Sequence, residues 1–186
     1  MKIAIFHDYF GAIGGGEKLV LMLAQSLNAD VITTDLNTES VKNMGYSDIR
    51  IISLGKTPKV PPLKQISTSF YFATCDFSKE YDFFIFSGNW AHFAAKKHKP
   101  NLYYCHTPAR AFYDLYDTFI SRQPLLISIF FRIWVRLHRP VSEYYLSHVC
   151  KIVTNSKNTS KRIKKYFHRD AEIIYPPVET SKFTCK

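Results

Sequence analysis

The sequence has little of what would make it a disulfide scaffold, a metal protein or a membrane span. Its four cysteines, Cys75, Cys105, Cys150 and Cys185, lie far apart with no CxxC spacing. That excludes a zinc ribbon and a disulfide framework. Cys105 and Cys150 sit at the edges of apolar runs and read as small core residues. The histidines His92, His98, His138, His148 and His168 show no metal-ligand spacing, so they read as surface or core residues. No internal repeat and no low-complexity segment is present. Met1 leads directly into an apolar strand, so neither a signal nor a transit peptide is expected there, and a reducing, cytoplasmic setting is. Acidic residues are also scarce. Fifteen Asp and Glu stand against 25 Lys and Arg, giving a formal charge of +10 and a pI near 9.4. Anionic partners follow: phosphates, nucleic acid or an acidic membrane surface. Aromatic residues, at 16%, are the one surplus, enough for sticky surface as well as core.

At 186 residues the chain fits one ordinary domain. Short apolar runs alternate with helical patterns along its length. Ile3–Phe6, Asp30–Asp35, Ile49–Ser53, Tyr81–Ser87, Asn101–Cys105, Lys151–Thr154 and Glu172–Tyr175 read as strands. Helices are expected after the glycine run, over about 63–75, in a short stretch around 91–95, in a long tract to about His148 broken near Pro124 and Pro140, and over about 156–167. This alternation predicts an α/β fold with a Rossmann-like, doubly wound, mainly parallel sheet of about seven strands. Ligands of such sheets bind beyond the carboxyl ends of the strands. The polar groups His7-Asp8, Ser87-Gly88-Asn89, His106-Thr107 and Asn155-Ser156 all fall at those ends.

The stretch around which the chain is organised is its start, MKIAIFHDYFGAIGGGEKLVLML. A strand leads into Gly11 and the triplet Gly14-Gly15-Gly16, followed by a helix with Leu19, Val20, Leu23 and Leu27 at helical spacing. Glycines let a ligand approach the backbone, and the N–H groups and dipole of the helix N-terminus attract an anion. Two common phosphate loops do not fit. Gly11 to Gly16 has P-loop spacing, but Glu17-Lys18 follows where Lys-Ser/Thr is required. The dinucleotide pattern lacks its third glycine, although Asp35 is available for a ribose.

Four segments occur in a telling order: FGAIGGGEK, YYCHTPARAFYD, IVTNSKNTSKRIKKYF and IIYPPVETSKF. In this order they resemble glycosyltransferase family 4, and more narrowly its mannosyltransferase-like members, in which HTPxR before an aromatic is usual. The resemblance implies a retaining GT-B enzyme of two Rossmann-like domains with the active site between them. Residues 1–175 would be the N-terminal, acceptor-side domain. Residues 176–186 would begin the linker to a C-terminal domain that binds most of the donor and is not matched in this chain. The expected activity is transfer of a hexose, mannose by the narrower resemblance, from a nucleotide sugar to a glycan or lipid-linked acceptor. The chain alone is expected to be inactive. No cofactor or metal is implied; the donor is a substrate. A stand-alone nucleotide-binding Rossmann protein and a basic nucleic-acid-binding domain are the competing readings. No helix-turn-helix or RNP-type motif supports the second.

The resemblance implies roles for particular residues. Gly14, Gly15 and Gly16 would offer N–H groups to the donor diphosphate, and His106 would lie by the transferred sugar as the catalytic-site histidine. Arg110 would meet a phosphate, or bridge instead to Asp114. Asp8, Tyr9, Asn89, Asn155 and Ser156 are the remaining candidate acceptor or phosphate contacts, the last two also reading as a helix cap. The tract 124–139 is too short and too charged to span a bilayer. It carries Ser128, Arg132, Arg136 and Arg139 on one stripe and bulky apolar residues elsewhere. It fits an anionic membrane surface, a cradle for a lipid-linked acceptor, a core-covering helix or a face for the second domain. Lys157, Lys161, Arg162, Lys164 and Lys165 make a second basic helix.

Overall fold

The computed structural model describes residues 1–11, 14–43 and 45–177. The linker expected over 176–186 lies, from residue 178 onward, outside the described residues, as do two positions of the glycine loop and Cys185.

The apolar runs become seven strands: β1 (Ile3–Tyr9), β2 (Asp30–Thr34), β3 (Ile51–Ser53), β4 (Phe83–Ser87), β5 (Asn101–Cys105), β6 (Lys151–Thr154) and β7 (Glu172–Ile173). All pair in parallel, in the order β3-β2-β1-β4-β5-β6-β7. The fold is therefore a Rossmann-like α/β sheet of the expected class. The chain winds outward from β1 to β3, then returns to lay β4 on the other side of β1. The crevice opens at that reversal, above the carboxyl ends of β1 and β4. There the register sets His7 opposite Ser87.

Among the described residues six α-helices link the strands: α1 (Gly15–Leu27), α2 (Thr38–Lys42), α3 (Leu63–Thr74), α4 (Tyr116–Ser121), α5 (Leu125–Leu146) and α6 (Lys157–Phe167). Short 3-10 turns at Ala91–Lys96 and Arg110–Phe112 complete the set. One side of the sheet is aliphatic: Ile3, Ile5, Val31 and Ile85 pack with Val20, Leu21 and Ala24 of α1. The other is aromatic: Phe6, Phe84, Phe86 and Tyr103 pack with Phe72 of α3, Phe93 and Phe112. Much of the aromatic surplus is thus core.

Two helical expectations change. The stretch read as a polar connection holds α2, whose N-cap Asn37 accepts the Ser40 N–H at 3.2 Å. The break expected at Pro140 is absent, because α5 runs through it to Leu146. A proline within a helix loses one bond and crowds the preceding turn. Pro140 lies on the exposed side, where water can serve the freed carbonyl, while Val135 and Leu146 anchor the helix in the core on either side of it. Strand ends shift by a few residues; β1 continues through His7 and Asp8 to Tyr9.

Candidate functional site

β1 delivers His7 and Asp8 to the crevice in opposite directions, as strand alternation requires. The Asp8 carboxylate turns inward. It accepts the N–H groups of Asn89 (2.6 Å), Trp90 (2.9 Å) and Ala91 (2.9 Å), so it clamps the start of the 3-10 turn that follows β4. Burial raises its carboxyl pKa, against the pull of His7 and of those three N–H bonds. Asp8, a candidate acceptor contact, thus has both carboxylate oxygens engaged by backbone N–H groups. The clamp also explains Gly88, which has a φ of +107°. A Cβ there would lie 2.5 Å from the Asp8 carboxyl carbon.

His7 faces the other way, towards the N-terminus of α1. Its Nε2 lies 3.7 Å from Glu17 Oε1, and its Nδ1 is buried without a hydrogen-bond partner among the described residues. The neighbouring His7 imidazole is the largest influence holding Glu17 down to about 2. The other Glu17 oxygen accepts the Gly14 N–H at 2.9 Å and so caps the start of α1 from within the helix. The triplet is therefore not uniform. The Gly14 N–H is already bonded, whereas Gly15 and Gly16, as the first two helical residues, carry N–H groups with no partner among the described residues. Only these two remain for an anion.

His106 follows β5 directly. Its Nε2 lies 3.0 Å from the Ser87 hydroxyl at the end of β4. A Cβ on Gly16 would come within 3.9 Å of His106 Cε1 and Nε2. The helix N-terminus and the histidine thus meet across the crevice, where a side chain at position 16 would rest against the imidazole. Burial, with His7 nearby, lowers the His106 pKa, so the ring is neutral near pH 7. The carbonyl of His106 is held from behind, with the buried Thr159 hydroxyl 3.2 Å from it.

The other candidates divide. The Ser156 side chain accepts the Thr159 N–H at 3.2 Å and caps α6, and Asn155 Oδ1 lies 3.0 Å from the Thr159 hydroxyl. Both act as cap and brace. Arg110 donates to Asp114 from Nε (3.2 Å) and a terminal nitrogen (3.0 Å), and Asp114 also holds Arg162. The bridge is the arrangement present, and it leaves Arg110 half exposed. Tyr9 is partly covered by the Lys64 ammonium, 3.8 Å above its ring. The Asn89 side chain is exposed and lines a cavity of about 740 Å³ together with Trp90, Arg110 and Trp134.

The sequence groups Ser87 and His7 with the polar strand ends but assigns neither an individual role. The available signal was their position. Each closes an otherwise apolar strand, and the sheet order that pairs them is not visible in the chain. Among the described residues no group of three or more His, Cys, Asp or Glu is placed to hold a metal, and no helix is long and apolar enough to cross a membrane.

No protein-family profile and no curated protein matches this chain. Among solved structures it is similar to Anabaena HepE in complex with UDP and glucose, with a TM-score of 0.61 and 15% identity, over 97% of this chain and 46% of HepE. HepE in complex with UDP-glucose matches with a TM-score of 0.62 and 13% identity, over 97% and 45%. The chain spans slightly under half the length of these solved chains, and at this identity the likeness is one of fold.

Proposed function

We propose that the chain forms the acceptor-side half of a retaining GT-B glycosyltransferase that moves a hexose from a nucleotide sugar to a glycan or lipid-linked acceptor. The observation that carries this reading is the meeting of His106 with the bare N-terminus of α1 at the sheet's reversal. The fold likeness to a protein solved with UDP and glucose supports a nucleotide-sugar donor. The HTPAR and glycine-loop motifs support the family, and their narrower resemblance favours mannose.

In this reading the Gly15 and Gly16 N–H groups and the helix dipole stabilise the diphosphate as the glycosidic bond lengthens. His106, neutral and fixed by Ser87 at one nitrogen, offers the other to a sugar hydroxyl. It orients by hydrogen bonding and need not take a proton, because in a same-face displacement the departing phosphate assists the acceptor. Asp8 sets the height of the Asn89-Trp90 turn beside the acceptor. A second half, corresponding to the rest of HepE's length, supplies the main donor contacts.

The test uses the protein extended by the polypeptide encoded after Lys186. Transfer of labelled hexose from UDP-glucose or GDP-mannose is expected, and His106→Ala abolishes it while leaving the melting curve unchanged. Near-normal turnover by that variant would remove His106 from the site. Calorimetry on residues 1–186 alone should give no micromolar affinity for either donor. Such affinity would refute the assignment of the donor site to another half.

A further inference from the structure

The long helix α5 buries only part of its circumference. Phe131, Trp134, Val135 and Leu146 face the aromatic core. Opposite them an apolar stripe faces outward: Leu126 (69% exposed), Phe130 (70%), Ile133, Leu137 (66%), Val141 and Tyr144 recur along the helix. The neighbouring α3, joined to α5 by Ser69 and His138 at 3.2 Å, adds exposed Leu63, Ile66 and Phe70 at helical spacing. This is far more contiguous apolar surface than scattered exposure produces.

The flank of the stripe is basic. Arg132 and Arg136 are exposed and make no hydrogen bond or ion pair with any described residue, whereas Arg139 is taken by Glu143 at 2.8 Å. Both free arginines line a groove of about 800 Å³ beside Tyr113, Tyr116 and Tyr166, which Asp117 and the Arg139-paired Glu143 also line. The stripe itself carries no acidic residue from Leu125 to Ser142.

The direction of α5 decides what can cover it. Its first turns stand at the crevice, where Ile127 and Phe130 share a cavity with Asn89 and Arg110. Its end lies at the opposite edge of the sheet, where Asn101, the first residue of β5, bonds to His148 and Cys150. The helix therefore runs the depth of the domain, roughly 33 Å for its 22 residues. Leu137, Val141 and Tyr144 are exposed along the half of α5 that leads away from the crevice.

We infer that the outer face of α5, with the adjoining face of α3, lies in the interface of an anionic lipid bilayer, its apolar stripe among the acyl chains and Arg132 and Arg136 at the phosphates. The ordering of residue types is that of an interfacial helix, except that its third side is packed on a domain. This docking is independent of the donor site, so either can fail without the other.

Co-sedimentation with vesicles tests it. The 186-residue protein should bind vesicles containing phosphatidylglycerol, bind pure phosphatidylcholine much more weakly, and release as salt rises. Arg132→Gln with Arg136→Gln should weaken binding to the anionic vesicles on the order of 10- to 30-fold. Phe130→Glu with Leu137→Glu should abolish it, with unchanged circular dichroism because both side chains are exposed. Equal binding by these variants would overturn the inference. So would failure to bind anionic vesicles, and so would concentration-dependent dimers that Phe130→Glu dissolves without any lipid binding.

Discussion

Replacing Gly88 by alanine should be among the most damaging small substitutions in this protein, and the reason lies in Asp8. Two costs add. At φ +107° an L-residue is strained by about 1–2 kcal/mol. The new Cβ would stand 2.5 Å from the Asp8 carboxyl carbon and 2.6 Å from both its oxygens, too close for a buried group to tolerate. Moving that carboxylate strains or breaks its bonds to the Asn89, Trp90 and Ala91 N–H groups. Hydrogen bonds to a charged group contribute ~1.5–3 kcal/mol each, and the two to buried Trp90 and Ala91 have no water to replace them. Loss of both bonds makes the clash cost at least about 3 kcal/mol, and the whole substitution at least about 4 kcal/mol, a large part of a domain's ~5–15 kcal/mol. Asp8→Ala removes the obstacle, so Gly88→Ala in that background should cost only the conformational ~1–2 kcal/mol. Urea unfolding of the wild type, both single variants and the double variant, followed by circular dichroism, gives the coupling energy, expected at about 3 kcal/mol. Additivity within ~0.5 kcal/mol would refute the Asp8 clamp.

Three further outcomes follow from the site and core. Glu17→Gln removes the carboxylate that caps Gly14; after allowance for solvent screening it should cost about 1 kcal/mol at neutral pH. Because the folded carboxyl is held down to about 2, that contribution is present above the unfolded value of 4.5 and lost as pH falls towards 2, so wild type and variant converge in acid urea titrations. His92 and His138, pushed by burial to about 3 and about 4, are neutral in the fold. The unfolded chain protonates first, so stability should fall below pH 6.5 by up to ~1.4 kcal/mol per pH unit for each histidine. His138→Gln should flatten that slope by one proton; an unchanged slope counts against its burial as the cause. Ser87→Ala frees His106 Nε2 and should lower kcat of the extended protein with little change in melting temperature, whereas unchanged kcat would show that Ser87 does not position His106.

The fold class was legible in the residues alone. Period and glycine placement in Ile3–Gly16, and the repeated apolar runs that follow, demand a wound parallel sheet whatever the details of packing. The residues also placed the polar candidates at strand ends, because a buried strand can change to polar residues only where it leaves the core. Which of those candidates face each other depends on the packing of the strands and helices. Strand alternation sends Asp8 towards the turn after β4 and His7 towards the N-terminus of α1, a distinction that the dipeptide His7-Asp8 does not contain without knowing which face holds Gly88 and which holds α1. The same holds for α5. Its three-sided pattern of core, apolar and basic residues looked in sequence like an amphipathic helix with a break at Pro140. Packing of Val135 and Leu146 into the aromatic core carried the helix through the proline and left one apolar side without cover. The long-range pairings of Ser87 with His106 and of Gly16 with His106 lie beyond any local pattern, because they depend on the order in which seven strands pair.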